Sequence, residues 1–124
     1  MSVPTLTTTV LECTRSDTAM WDVVVTDYAG AAANITGATS YFTIRKTSAA
    51  NQTADSDAIL QVSSSSGITY TAPATGRMRI TLTAAQTRLL SVRSYFWDLQ
   101  IKSTNTFTAA KGVLLVTNEQ TRTT

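Results

Sequence analysis

Polar and apolar side chains alternate with period two through Ser94-Tyr95-Phe96-Trp97-Asp98-Leu99-Gln100-Ile101-Lys102. Tyr95, Trp97, Leu99 and Ile101 fall on one side, and Phe96, Asp98, Gln100 and Lys102 on the other. That is the signature of a half-buried β-strand with a heavy inner face. The same period recurs along the chain. Trp21, Val23 and Val25 alternate with Met20, Asp22, Val24 and Thr26 over residues 20–27. Phe42 and Ile44 alternate with Thr43 and Arg45 over 41–46. Met78, Ile80 and Leu82 alternate with Arg77, Arg79 and Thr81 over 77–82, the cleanest two-sided pattern. Shorter strands are expected at 6–14, 59–62 and 68–70, and a last strand at 112–117, antiparallel to the strand through Trp97.

Between these segments lie turn signals. Arg15-Ser16-Asp17-Thr18, Asp27-Tyr28-Ala29-Gly30 and Ser63-Ser64-Ser65-Ser66-Gly67 are rich in residues that break strands. Residues 47–57 and 103–110 read as loops. Thr83-Ala84-Ala85-Gln86 has capping-box spacing, which predicts one short helical turn near 84–90, crossing between two sheets. Seven or eight short strands, one helical turn and no βαβ alternation predict an all-β fold. The expected form is a single antiparallel, Ig-like β-sandwich over residues 15–117. Residues 1–14 then form an N-terminal arm or edge strand, and 118–124 a polar tail. A small closed barrel is the alternative.

Composition supports strands and removes chemistry. Threonine is the most frequent of the 124 residues, and the length suits one domain that needs no staple. There is no histidine, which excludes His-based nucleophilic triads and His-ligated zinc. Cys13 is the only cysteine, so no internal disulfide can form; in its apolar run it reads as a small strand residue. Carboxylate pairs remain for a hydrolase, but alternation sets Asp22 opposite Asp17 and Asp27. Asp55-Ser56-Asp57 has oxygen ligands without the glycine and terminal glutamate of an EF-hand loop. No catalytic residue, cofactor or metal site is therefore expected.

The formal charge is +2 and the arginines are scattered, so nucleic acid is not an expected partner. Arg77 and Arg79 share one outer strand face. No stretch is long and apolar enough for a membrane span. Met1-Ser2-Val3-Pro4 has neither a charged n-region nor an apolar h-region, so synthesis in the cytoplasm is the expectation. Trp21, Tyr95 and Trp97 are expected in the core. Phe96 faces away from Trp97, and an exposed Phe on a sheet face is a candidate subunit contact.

The order of features resembles a known group. Asp17-Thr18 opens a strand. Asp27-Tyr28-Ala29-Gly30, Ile35-Thr36-Gly37 and Tyr41-Phe42-Thr43-Ile44-Arg45 follow. Then come Gly76, Arg79-Ile80-Thr81-Leu82, Thr87-Arg88-Leu89-Leu90, Tyr95-Phe96-Trp97-Asp98-Leu99-Gln100-Ile101 and Gly112-Val113-Leu114-Leu115-Val116. Over about residues 17–121 this is similar to small β-sandwich virion proteins of tailed bacteriophages, in particular the N-terminal domain of the baseplate upper protein family. The resemblance implies a non-enzymatic structural component of the capsid, neck or tail, located in the virion. Its partners would be other virion proteins and further copies of itself, held through sheet edges and terminal segments. Leu6, Phe96, Arg77 and Arg79 are the candidate assembly contacts. A carbohydrate-binding module used in host attachment is the second expectation. It requires at least two of Tyr28, Tyr41, Tyr70 and Phe96 to be exposed and coplanar.

Overall fold

The computed structural model describes residues 10–26, 31–46, 58–103 and 106–118. Among these residues, eight strands and one short α-helix follow in chain order. They are β1 (Val10–Thr14), β2 (Ala19–Val24), β3 (Thr39–Arg45), β4 (Ala58–Ser63), β5 (Ile68–Ala72), β6 (Arg77–Leu82), α1 (Ala84–Arg88), β7 (Ser94–Lys102) and β8 (Thr106–Thr117). One sheet has the order β1-β8-β7-β3-β4 and the other β2-β6-β5. Matched to a seven-stranded immunoglobulin-type sandwich, β8-β7-β3 is the sheet that has gained β1 and β4 at its two edges, and β2-β6-β5 the sheet that, among the described residues, has lost its outer strand. The fold is an all-β, Ig-like sandwich.

The alternating positions form the core. Tyr95, Trp97, Leu99 and Ile101 are all nearly inaccessible, as are Met78, Ile80, Leu82, Phe42 and Ile44. Phe42 lies between two indoles. Its ring centroid is 5.6 Å from Trp97 on the neighbouring strand and 5.8 Å from Trp21 on the opposite sheet. Antibody domains join these two sheets by a disulfide packed on a tryptophan. Here the rings span the gap. Trp97 stands two residues after Tyr95, where the antibody pattern places its second cysteine. Tyr95 itself keeps the corner role: its phenol oxygen accepts from the Ser91 backbone N–H at 2.8 Å.

Three polar latches close the two ends of the sandwich. Tyr70 on β5 donates to the Ala38 carbonyl at 2.7 Å, and the fully buried Ser40 on β3 meets its oxygen at 2.6 Å. At the other end, buried Thr87 in α1 donates to the Asp17 carbonyl, and Arg15 donates to the Leu90 carbonyl. The α1 capping box forms in both directions: Gln86 N–H donates to the Thr83 hydroxyl, and Thr83 N–H to the Gln86 side chain. Gly76 sits at φ 74° after a 3-10 turn at Pro73–Thr75. A Cβ there would collide with the Val25 carbonyl and come within 2.8 Å of the Ala33 carbonyl. Only glycine fits both constraints.

Three expectations need correction, and one outward residue proves to be buried. The sandwich is not wholly antiparallel: β1 pairs with β8 in parallel, because β1 crosses directly into the other sheet at its end. The segment 103–110 is not a loop throughout, since β8 starts at Thr106 and pairs with the full length of β7 through a bulge after Leu99. Thr43 does face outward, yet it is buried, with Gln61 donating to its hydroxyl at 2.9 Å. Trp21 is not sealed: β2 is an edge strand, and the indole is only half-buried.

The ring stack makes a quantitative expectation. Replacing Phe42 by Ala should cost about 3–5 kcal/mol in urea unfolding, the range for deleting a buried phenylalanine. A loss below ~1.5 kcal/mol, the scale of a volume-conserving swap, would show that the rings do not join the sheets.

Candidate functional site

A well-formed hollow with a volume of about 490 Å³ lies between the edge strands β1 and β2. Its walls include Leu11, Trp21, Phe42 and Trp97, with Val10 and Met20 at the mouth. Val10 is 52% exposed and Met20 59%. Both are apolar, and both stand on strands with a single sheet neighbour among the described residues. The Trp21 indole N–H donates to the Glu12 carbonyl at 3.2 Å, so one hydrogen bond ties the two edges across the groove. The site follows from position in the sandwich. Edge strands leave one backbone side without a strand partner, and the Trp21 ring lines the hollow between the two edges.

The groove offers grip rather than acid–base chemistry. Glu12 and Asp22 are the acidic residues along it, and they lie on outward, exposed positions. Asp22 accepts from Arg79 at 2.8 Å and 3.4 Å. That side-chain bond, opposed by slight desolvation and aided by the arginine charge, holds the Asp22 carboxyl below its ordinary range. Asp98 is matched to Arg45 at 3.6 Å on the outer face of the other sheet. Among the described residues no three acidic or sulfur ligands gather as a metal site. Burial pushes the Cys13 thiol up, away from the reactive thiolate.

The sequence-derived contacts disperse. Arg77 and Arg79 are exposed on the outer face of the three-stranded sheet, and Arg79 is engaged by Asp22. Phe96 faces outward on the five-stranded sheet, but it is half-buried rather than bare. Leu6 lies outside the described residues. Of the four rings from which a sugar platform would need at least two, Tyr28 also lies outside them. Tyr41, Tyr70 and Phe96 are each half-buried. Tyr70 turns its hydroxyl inward to Ser40 and Ala38, and the Tyr41 ring has the Lys102 ammonium 5.9 Å from its centre. The groove itself was missed from the sequence. Its signal was the large Trp21 on the strand that opens one sheet, next to an apolar Met20.

No family profile and no curated protein sequence matches the chain. Among solved structures it is similar to titin domain M7, with 13% identity over 95% of each chain and a TM-score of 0.44. The Ig-like assignment rests on the strand order itself.

The Asp22–Arg79 pair gives a pH expectation. A carboxyl lowered on folding contributes stability at pH above its unfolded value, and that contribution is lost as pH falls through the folded midpoint. Side-chain NMR should place the Asp22 midpoint below that of an ordinary aspartate. Arg79→Ala or high salt should move it up, because the pair is solvent-exposed. An unmoved midpoint in Arg79→Ala would show that the pair does not form in solution.

Proposed function

We propose that the chain is a non-enzymatic structural component of a tailed-phage particle, gripping other virion proteins through the edges of its sandwich. The virion assignment draws on the order of motifs from Asp17 to Val116. The observation that carries the mode of action is the β1–β2 groove. It places two strand edges side by side, with exposed apolar side chains at its mouth and aromatic rings behind. An extended segment of another protein can add backbone hydrogen bonds along such an edge and seat alternate side chains in the hollow. Repetition of the contact in a symmetric particle multiplies modest affinity into firm attachment.

The first test is the protein inventory and copy number of the purified particle. Hundreds of copies correspond to shell decoration, about a dozen to the neck, and a few to several tens to the tail. A particle without the chain would end this reading. The second test is Met20→Lys. At an exposed site this change should alter stability by no more than ~0.5 kcal/mol, while incorporation into particles should drop several-fold. Normal incorporation of a folded Met20→Lys chain would mean that the groove is not the grip.

A further inference from the structure

Four cations that lie far apart in the sequence meet at one end of the sandwich. Register brings them there, because β1 and β3 end where β7 begins: Thr14 is aligned with Thr117, Leu115 with Ser94, and Phe96 with Arg45. Arg15 follows β1, Lys46 follows β3, Arg88 closes α1 and Arg93 precedes β7. Neutral acceptors hold the three guanidinium groups. Arg15 Nε donates to the Leu90 carbonyl at 3.0 Å, and Arg88 Nε to the Ser16 hydroxyl at 3.4 Å. Arg93 donates to the Ser94 carbonyl at 3.1 Å and to the Lys46 carbonyl at 3.4 Å, and lies 5.0 Å from the centre of the Tyr95 ring. Among the described residues none of the four cations meets a carboxylate; the acids that form ion pairs there, Asp22 and Asp98, stand on the sheet faces. Between the cations stand Leu89 and Val92, 68% and 52% exposed. Leu89 has Arg88 on one side and, on the other, the Leu90 carbonyl that holds Arg15. Val92 directly precedes Arg93. The loop that carries them is pinned by buried Leu90 and by the Ser91 N–H, which donates to the Tyr95 hydroxyl.

We propose that this end of the sandwich docks an acidic segment of a partner protein, one that carries carboxylates beside an aliphatic residue. The site is separate from the β1–β2 groove and does not depend on the virion reading. Charge complementarity selects the occupant. Arg15 and Arg88 are fixed through Nε, which leaves the two Nη groups of each for the bidentate contact that a carboxylate makes. Exposed ion pairs contribute little one by one, so the contact also needs apolar area, and Leu89 and Val92 supply it. The same two residues argue against the other anionic partners. A nucleic acid stacks its bases on aromatic or guanidinium planes, and an aliphatic tip offers it nothing. A lipid surface calls for a broad apolar face, and here there are two side chains without an aromatic. A second copy of this chain is a poor match, since Asp22 and Asp98 are already engaged. The pinned loop holds the cations and the aliphatic tips in place before the partner arrives, which lowers the cost of ordering them.

The test is a backbone-amide NMR titration of the full chain with a capped peptide of alternating glutamate and leucine. Two control peptides carry serine in place of leucine, or lysine in place of glutamate. The amides of Ser16, Leu89, Ser91 and Val92 should shift with the first peptide. The serine peptide should bind about tenfold more weakly, and the lysine peptide should leave the spectrum unchanged. Arg88→Glu and Leu89→Ser lie at exposed positions, so both chains should fold, and each should weaken binding by about tenfold. Lys111→Glu, an exposed change in mid-strand on β8, should leave binding as it was. Absent shifts overturn the proposal, and so do shifts spread equally over Arg77 and Lys111. Binding that is indifferent to both Arg88→Glu and Leu89→Ser also overturns it. Vesicles of phosphatidylserine and phosphatidylcholine form the last arm: if they shift the same amides and the peptide does not, the site belongs to a lipid surface and the proposal fails.

Discussion

Phe42 held between two indoles is the contact on which the sandwich depends. One indole, Trp97, belongs to the same sheet; the other, Trp21, comes from the facing sheet. With Cys13 as the sole cysteine, the layers cannot be joined covalently within the chain. Removing a native disulfide from a small domain costs about 2–5 kcal/mol. The one aromatic pair that crosses between the sheets, Trp21–Phe42, contributes about 0.5–1.5 kcal/mol beyond the area it buries, and burial of the rings adds its own larger share. The two solutions are therefore of similar strength. The ring solution is indifferent to the redox state of its surroundings. Each indole also places its N–H on a backbone carbonyl, Trp97 on Val113 and Trp21 on Glu12, so neither leaves a buried donor unmet.

The same contact has a geometric consequence at the edge. Trp97 stands on an inner strand and is nearly inaccessible, whereas Trp21 stands on β2, with β6 as its only strand neighbour among the described residues. A ring of that size at an edge cannot be enclosed by strands. It is covered on its Phe42 side and reached by solvent on the other. The hollow between β1 and β2 follows from this, and the Trp21–Glu12 hydrogen bond keeps the two edges a fixed distance apart. The side chain that completes the core therefore also floors the groove. Loosening one would reshape the other, which couples the stability of the sandwich to the shape of its candidate grip.

Much of this was legible in the sequence because the signals were local. Period two in residues 78–82 and 95–101 marks side chains that are all nearly inaccessible, and Thr83 with Gln86 marks a capping box that forms as read. What was not legible depends on neighbours. Residues 106–110 contain Thr and Ala with little alternation and read as loop, yet they form strand because β7 supplies nine residues to pair with. The burial of Thr43 comes from Gln61 on the adjacent strand, eighteen residues away. The depth of Trp21 depends on which strand ends the sheet, a property of topology rather than of periodicity. The outward direction of Phe96 was visible from alternation. Its alignment with Val113 and Val10 was not, because register joins residues far apart in the chain.

Strand β7 places Phe96 and Trp97 side by side in sequence and on opposite faces in space. One feeds the ring stack and the other the outer face, so a single register serves both. A slip by one residue would turn Trp97 outward and carry Asp98, Gln100 and Lys102 into the core. Burying even one of those charges without a partner costs several kcal/mol, which makes the slipped state inaccessible. The bulge after Leu99 falls beyond both rings, toward the end of the strand, so it alters the pairing with β8 without disturbing the Phe96–Val113 or Trp97–Gly112 alignment. The constraint that fixes the core is thereby the one that fixes the outer face. The outer face built on such a strand is therefore as fixed in register as the core beneath it.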